Sequence, residues 1–83
     1  MEINAKGISY QFADSDGSTK SITVTLGGNE TSNYINGSLV IEASDLTDGE
    51  TLDDLNKKKI TVLGLKKMEA YVKTQLIALG EVQ

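Results

Sequence analysis

The chain has 83 residues, a formal charge of −4 and a basic side shared among 8 lysines, with no arginine, histidine, cysteine or tryptophan. That length suits one small domain, 1–83, whose stability margin is thin and is commonly supported by association. The missing residue types exclude disulfides, a zinc site built from His and Cys, a Cys–His pair, a Ser–His–Asp triad and a bidentate arginine clamp on phosphate.

The chain opens with alternation. Ile8, Tyr10 and Phe12 are apolar at every second position, the pattern of a strand with one buried face. Ile3 is out of phase with them, and Gly7 is placed at a bulge or bend that corrects the phase. Asp14-Ser15-Asp16-Gly17-Ser18 is a cluster of turn formers. Ile22, Val24 and Leu26 then alternate with Ser21, Thr23 and Thr25, so the two runs predict a hairpin with six apolar residues on one face. Gly27-Gly28-Asn29-Glu30 is expected to break the second strand. Asn36-Gly37 between β-prone runs is a strong type I′ hairpin signal, because both central residues need positive φ. It predicts two further strands, Thr31 to Ile35 and Ser38 to Glu42, with Leu39 and Ile41 on one face and Val40 on the other.

Residues 44–50 read as an acidic loop. A short helix is predicted from Thr51 to about Lys58, with Thr51 and Asp54 in a capping box and Lys57, Lys58 and Lys59 at its C-terminal end. Ile60-Thr61-Val62 is β-branched and is expected to be extended. A longer helix is predicted from Leu63 or Gly64 to Leu79, stopped by Gly80. Its apolar stripe is Leu65, Met68, Val72, Leu76 and Leu79, within about 80° on a helical wheel, and is assigned to the core. Ala70, Tyr71 and Ile77 fall outside that stripe and are the candidate partner-binding residues. The predicted class is α+β: a four-stranded antiparallel meander (1–43) followed by a short helix and a longer amphipathic one (51–80).

The remaining motifs are weak sites. Asp14-Ser15-Asp16-Gly17 resembles the opening of a calcium loop, but position twelve of that loop is Thr25, where a bidentate Glu is needed. Glu42, Asp45, Asp48, Glu50, Asp53 and Asp54 form an acidic run. Acids are favoured ahead of a helix, so the run reads as a solvated loop and not as a metal site. No catalytic residue, metal or cofactor is expected. Phe12, Tyr10, Tyr34 and Tyr71 are the only aromatics, and an acidic chain this poor in aromatics lacks the footprint of a nucleic-acid binder. No apolar run approaches the ~18 residues of a membrane span, and no basic-then-apolar leader opens the chain. A soluble protein that is not exported by a signal peptide is expected.

Residues 60–76, ITVLGLKKMEAYVKTQL, resemble a short element of bacteriophage virion proteins of the fibre, head-decoration and tail types. Thr61, Val62, Gly64 and Leu65 carry the likeness, which covers about a fifth of the chain. The resemblance implies a small structural protein of a virion, found there or in the host cytoplasm. Such a protein would self-associate, as a homo-oligomer, or dock on other virion proteins. The competing expectation is a small regulatory or inhibitor domain that binds a host protein through its acidic loop.

Overall fold

The computed structural model describes residues 1–47 and 49–80. Asp48 of the acidic run and the last three residues of the expected 1–83 domain lie outside the described residues. Among the described residues the fold is three strands, one long helix and two 3₁₀ turns. Strand β1 spans Asn4–Phe12, β2 Thr19–Glu30 and β3 Asn33–Glu42, in a single antiparallel sheet of order β1-β2-β3.

The first hairpin forms as its alternation predicts, with Ile8 opposite Val24 and Tyr10 opposite Ile22. A register shift between Ala5 and Gly7 supplies the phase correction. Ile22, Val24 and Leu26 are completely buried, whereas Tyr10 and Phe12, at the far end of the edge strand, are left largely exposed.

The four-strand expectation fails at two places. Gly27-Gly28 does not end β2, which runs on to Glu30. The glycine at 28 admits the N-terminal segment, because a Cβ there would lie 2.1 Å from the Glu2 carbonyl oxygen. Asn36-Gly37 lies inside β3 and makes no turn. The chain reverses instead at Thr31-Ser32, between the paired Glu30 and Asn33, with Thr31 at φ 53°. A β-branched residue in the left-handed region costs roughly 1–2 kcal/mol. The long pairing that this turn permits sets Leu39 opposite Val24 and Ile41 opposite Ile22. Burying Ile41 alone contributes about 1.5–3 kcal/mol, so long-range burial outweighs the local turn preference. As expected, Ile41 is buried and Val40 faces outward, exposed.

The helical half is also rearranged. The expected short helix shrinks to a single 3₁₀ turn, Leu52–Asp54, after another at Ala43–Asp45. Helix α1 spans Lys57–Ala78 and therefore includes Ile60-Thr61-Val62, which had read as extended. Asn56 starts it: its side-chain oxygen accepts from the Lys59 N–H at 2.8 Å, a cap of the kind worth about 1 kcal/mol. Ile60, completely buried, supplies more than the few tenths of a kcal/mol that β-branching costs a helix. Gly80, at φ 80°, stops the helix as predicted and donates its N–H to the Ile77 carbonyl.

The helix crosses the sheet from one edge strand to the other. Lys57 borders a recess with Ala5, Gly7 and Ile8 of β1. Gly64 lies against Val24 and Leu26 of β2, and Met68 comes beside Gly37 of β3. The core is Ile22, Val24, Leu26, Ile41, Leu52 and Ile60, flanked by Leu63, Leu65 and Met68 among others. The apolar stripe assigned to the core is thus only half used. Leu65 and Met68 border the core, while Val72, Leu76 and Leu79 are exposed. The physical reason is the earlier helix start: Ile60 and Gly64 take the face toward the sheet, which turns the stripe aside, and the sheet ends before the helix does.

Candidate interaction surface

From Glu69 to Leu79 every residue of α1 and its cap is exposed. This segment carries Tyr71, Val72, Leu76, Ile77 and Leu79, of which Tyr71 is 63% and Leu79 65% exposed. Its only charges are Glu69 and Lys73, and neither joins an ion pair among the described residues. The candidates Ala70, Tyr71 and Ile77 all sit on this projecting segment, on more than one side of it, so they do not form one patch. The stripe through Val72, Leu76 and Leu79, expected inside, is the larger apolar surface. Sequence reasoning missed it because a helical wheel gives relative angles and not which angle faces the sheet.

The acidic run is used within the chain. Asp45 accepts from Lys67 at 2.8 Å and from the Glu42 N–H at 2.8 Å. Lys67 also donates to the Val40 carbonyl, tying α1 to the end of β3. Asp53 accepts from the Thr19 backbone and hydroxyl, which pins the second 3₁₀ turn to the start of β2. Glu50 accepts from the Thr47 hydroxyl at 2.7 Å and lies 3.5 Å from Lys59, and Asp54 accepts from Thr51 at 2.6 Å. In the calcium-like segment, Asp16 accepts from the Ser18 N–H and hydroxyl, an ordinary closed turn. Among the described residues no three carboxylates converge in a way that could hold a metal ion.

These bonds shape the acid stability. Hydrogen bonds from the Ser18 hydroxyl and N–H hold Asp16 below its ordinary value, and those from Thr47, with the Lys59 charge, do the same for Glu50. At Asp45 partial burial opposes ionisation, but the Lys67 and Glu42 bonds outweigh it and the carboxyl is again lowered. A lowered folded pKa means that the unfolded chain binds the proton more tightly. The stabilisation is therefore complete above the ordinary values of 3.8 and 4.5 and is lost as pH falls through the lower folded ones. With no histidine, the urea midpoint is expected to stay level from about pH 8 to 5 and to drop below about 4. Asp45→Asn should flatten that drop; a drop of the same size in the variant would remove Asp45 from the account.

An open depression of about 560 Å³ lies at the hairpin end of the sheet, bordered by Asn4, Lys6, Asn29, Tyr34 and Asn36. It holds amides, one lysine, one phenol and the Glu2 carboxylate, which has no hydrogen-bond partner among these. No nucleophile there is paired with a base, which is the arrangement that acyl or phosphoryl chemistry requires. No helix of the described residues is long and apolar enough to cross a membrane. No family model, curated protein or solved structure matches the chain.

Proposed function

We propose that this is a non-enzymatic structural or interaction protein that self-associates or docks on a larger protein assembly through the projecting half of α1. The observation that carries the reading is that half of a long helix lies beyond its own sheet with Tyr71, Val72, Ile77 and Leu79 each at least half exposed. An isolated helix of 10 or so residues is marginal in water, and a second apolar face on it is explained by something that covers it. The likeness of residues 60–76 to virion elements agrees with a small virion component. The rival reading, an acidic loop that binds a host protein, is disfavoured because Asp45, Glu50, Asp53 and Asp54 are already engaged within the chain.

Amide exchange followed along α1 tests the reading. In dilute protein, residues 57–68 are expected to exchange with the sheet, and residues 69–79 faster by roughly 10²-fold or more, as frayed or solvated segments do. Protection of 69–79 that rises with protein concentration, or in the assembled state, identifies the docking surface. Exchange of 69–79 that stays fast in every assembled state would reject it.

A further inference from the structure

We infer that the partner of the projecting helix is a second copy of this chain, joined about a twofold axis at Val72 with the two helices antiparallel. This rests on the reading of that helix as a docking surface and names what docks. The first argument is the spacing of the apolar stripe, of which Val72, Leu76 and Leu79 are exposed and Leu65 and Met68 are partly buried beside the chain's own core. Leu65, Met68, Val72, Leu76 and Leu79 are separated by three, four, four and three residues. The series averages 3.5 residues per step, the period of a helix–helix seam, and it reads the same in both directions. Laid antiparallel on a copy of itself, it sets Val72 against Val72, Met68 against Leu76 and Leu65 against Leu79. A seam meant for an unrelated partner has no reason to be its own mirror about one residue, whereas an isologous interface demands that self-complementarity.

Charge supports the same arrangement. Glu69 and Lys73 are the only charges on the segment and both lie on its side away from the sheet. About the axis at Val72, Glu69 of one copy and Lys73 of the other fall about 3 Å apart along the helices. Two ion pairs then form by symmetry, between groups that join no ion pair among the described residues of the single chain.

The sheet fits the same axis. Between Lys57 and Met68 the helix advances about 16 Å while crossing two strand spacings, about 10 Å. At that slope Val72 stands roughly 3–4 Å outside β3. A twofold on that side of the helix turns the free edges of the two β3 strands toward each other. On that edge the outward groups at one end are already satisfied, the Glu42 N–H by Asp45 and the Val40 carbonyl by Lys67. The stretch from Tyr34 to Ser38 has no such cover and carries no charge or proline. Met68 sits beside Gly37 while Lys67 reaches back to Val40, so the seam faces the end of β3 that is open.

Because the chain has no cysteine, single cysteines report the geometry directly. Val72→Cys is expected to form a covalent dimer almost completely under mild oxidation, while Ile77→Cys, on the opposite flank, stays below a tenth of that. Sedimentation equilibrium of the unmodified chain is expected to give twice the monomer mass in the micromolar range, and Val72→Asp the monomer mass with an unchanged circular dichroism spectrum. A monomer at every concentration, or equal crosslinking at 72 and 77, would overturn the second-copy inference. Both outcomes are separable from failure of the docking reading: for a monomer, protection of 69–79 in an assembly with another protein would leave that reading standing, and for equal crosslinking, so would protection that rises with concentration.

Discussion

Gly64→Leu is expected to abolish cooperative folding, and Gly64→Ala to lower stability by about 1–2 kcal/mol. Alanine improves helix propensity by ~1 kcal/mol over glycine, so on local grounds the second change should help. Packing reverses the sign. A Cβ at position 64 would stand 2.7 Å from Val24 Cγ1 and 3.3 Å from Leu26 Cδ1. Both belong to completely buried residues of the central strand, which have nowhere to move. Overpacking of this kind typically costs 1–3 kcal/mol for a small addition. A leucine must lift the helix away, and that also uncovers Ile60. Urea unfolding followed by circular dichroism measures both. Gly37→Ala is the control, since its Cβ would meet only Met68 Cε at 3.9 Å, and it is expected to be neutral or slightly stabilising. A Gly64→Ala protein as stable as the parent would mean that α1 does not approach the sheet at this point.

The hairpin of β1 and β2 was legible because its signal is doubly local: period-two alternation on both sides of a cluster of turn formers. The β2–β3 connection was not, because the strongest turn dipeptide in the chain, Asn36-Gly37, competes with burial of Leu39 and Ile41 against residues far away in sequence. Thr31-Ser32 has no favourable turn chemistry and is chosen by what it allows elsewhere. The glycines at 27 and 28 misled for a related reason. A glycine that breaks a strand and a glycine that lets another segment pass close over it look alike in sequence.

The helix start shows the same conflict. Lys57, Lys58 and Lys59 read naturally as the end of a helix, where positive charge suits the dipole. They stand instead in the first turn of α1, against it, at a cost of some 0.3–1 kcal/mol per charge before screening. Glu50, 3.5 Å from Lys59, offsets part of this. The Asn56 cap and the burial of Ile60 supply the remainder. Local electrostatics therefore pointed to the wrong boundary, and with it the whole angular assignment of the helix turned. Of the candidate surface, the presence of spare apolar residues was readable; which ones were spare depended on that turn.

That assignment gives the second large effect. Ile60→Ala is expected to cost about 3–4 kcal/mol, within the 2–5 kcal/mol typical of a buried isoleucine cut to alanine. Ile60 is completely buried and is one of five fully enclosed core side chains among the described residues, so little neighbouring mass is free to collapse into the space. A domain of this size has little margin, and the variant should be substantially unfolded near 37 °C. Leu79→Ala removes a similar apolar volume from the same helix, yet Leu79 is 65% exposed. For dilute protein its cost should stay within about 0.5 kcal/mol, as for surface positions generally. The pair is decisive because the wheel drawn from the sequence placed Leu79 in the core stripe and left Ile60 outside the helix. Equal losses in the two variants would restore that assignment. The expected inequality, together with a larger effect of Leu79→Ala as concentration rises, would locate the folding core at the start of α1 and leave its end free for association.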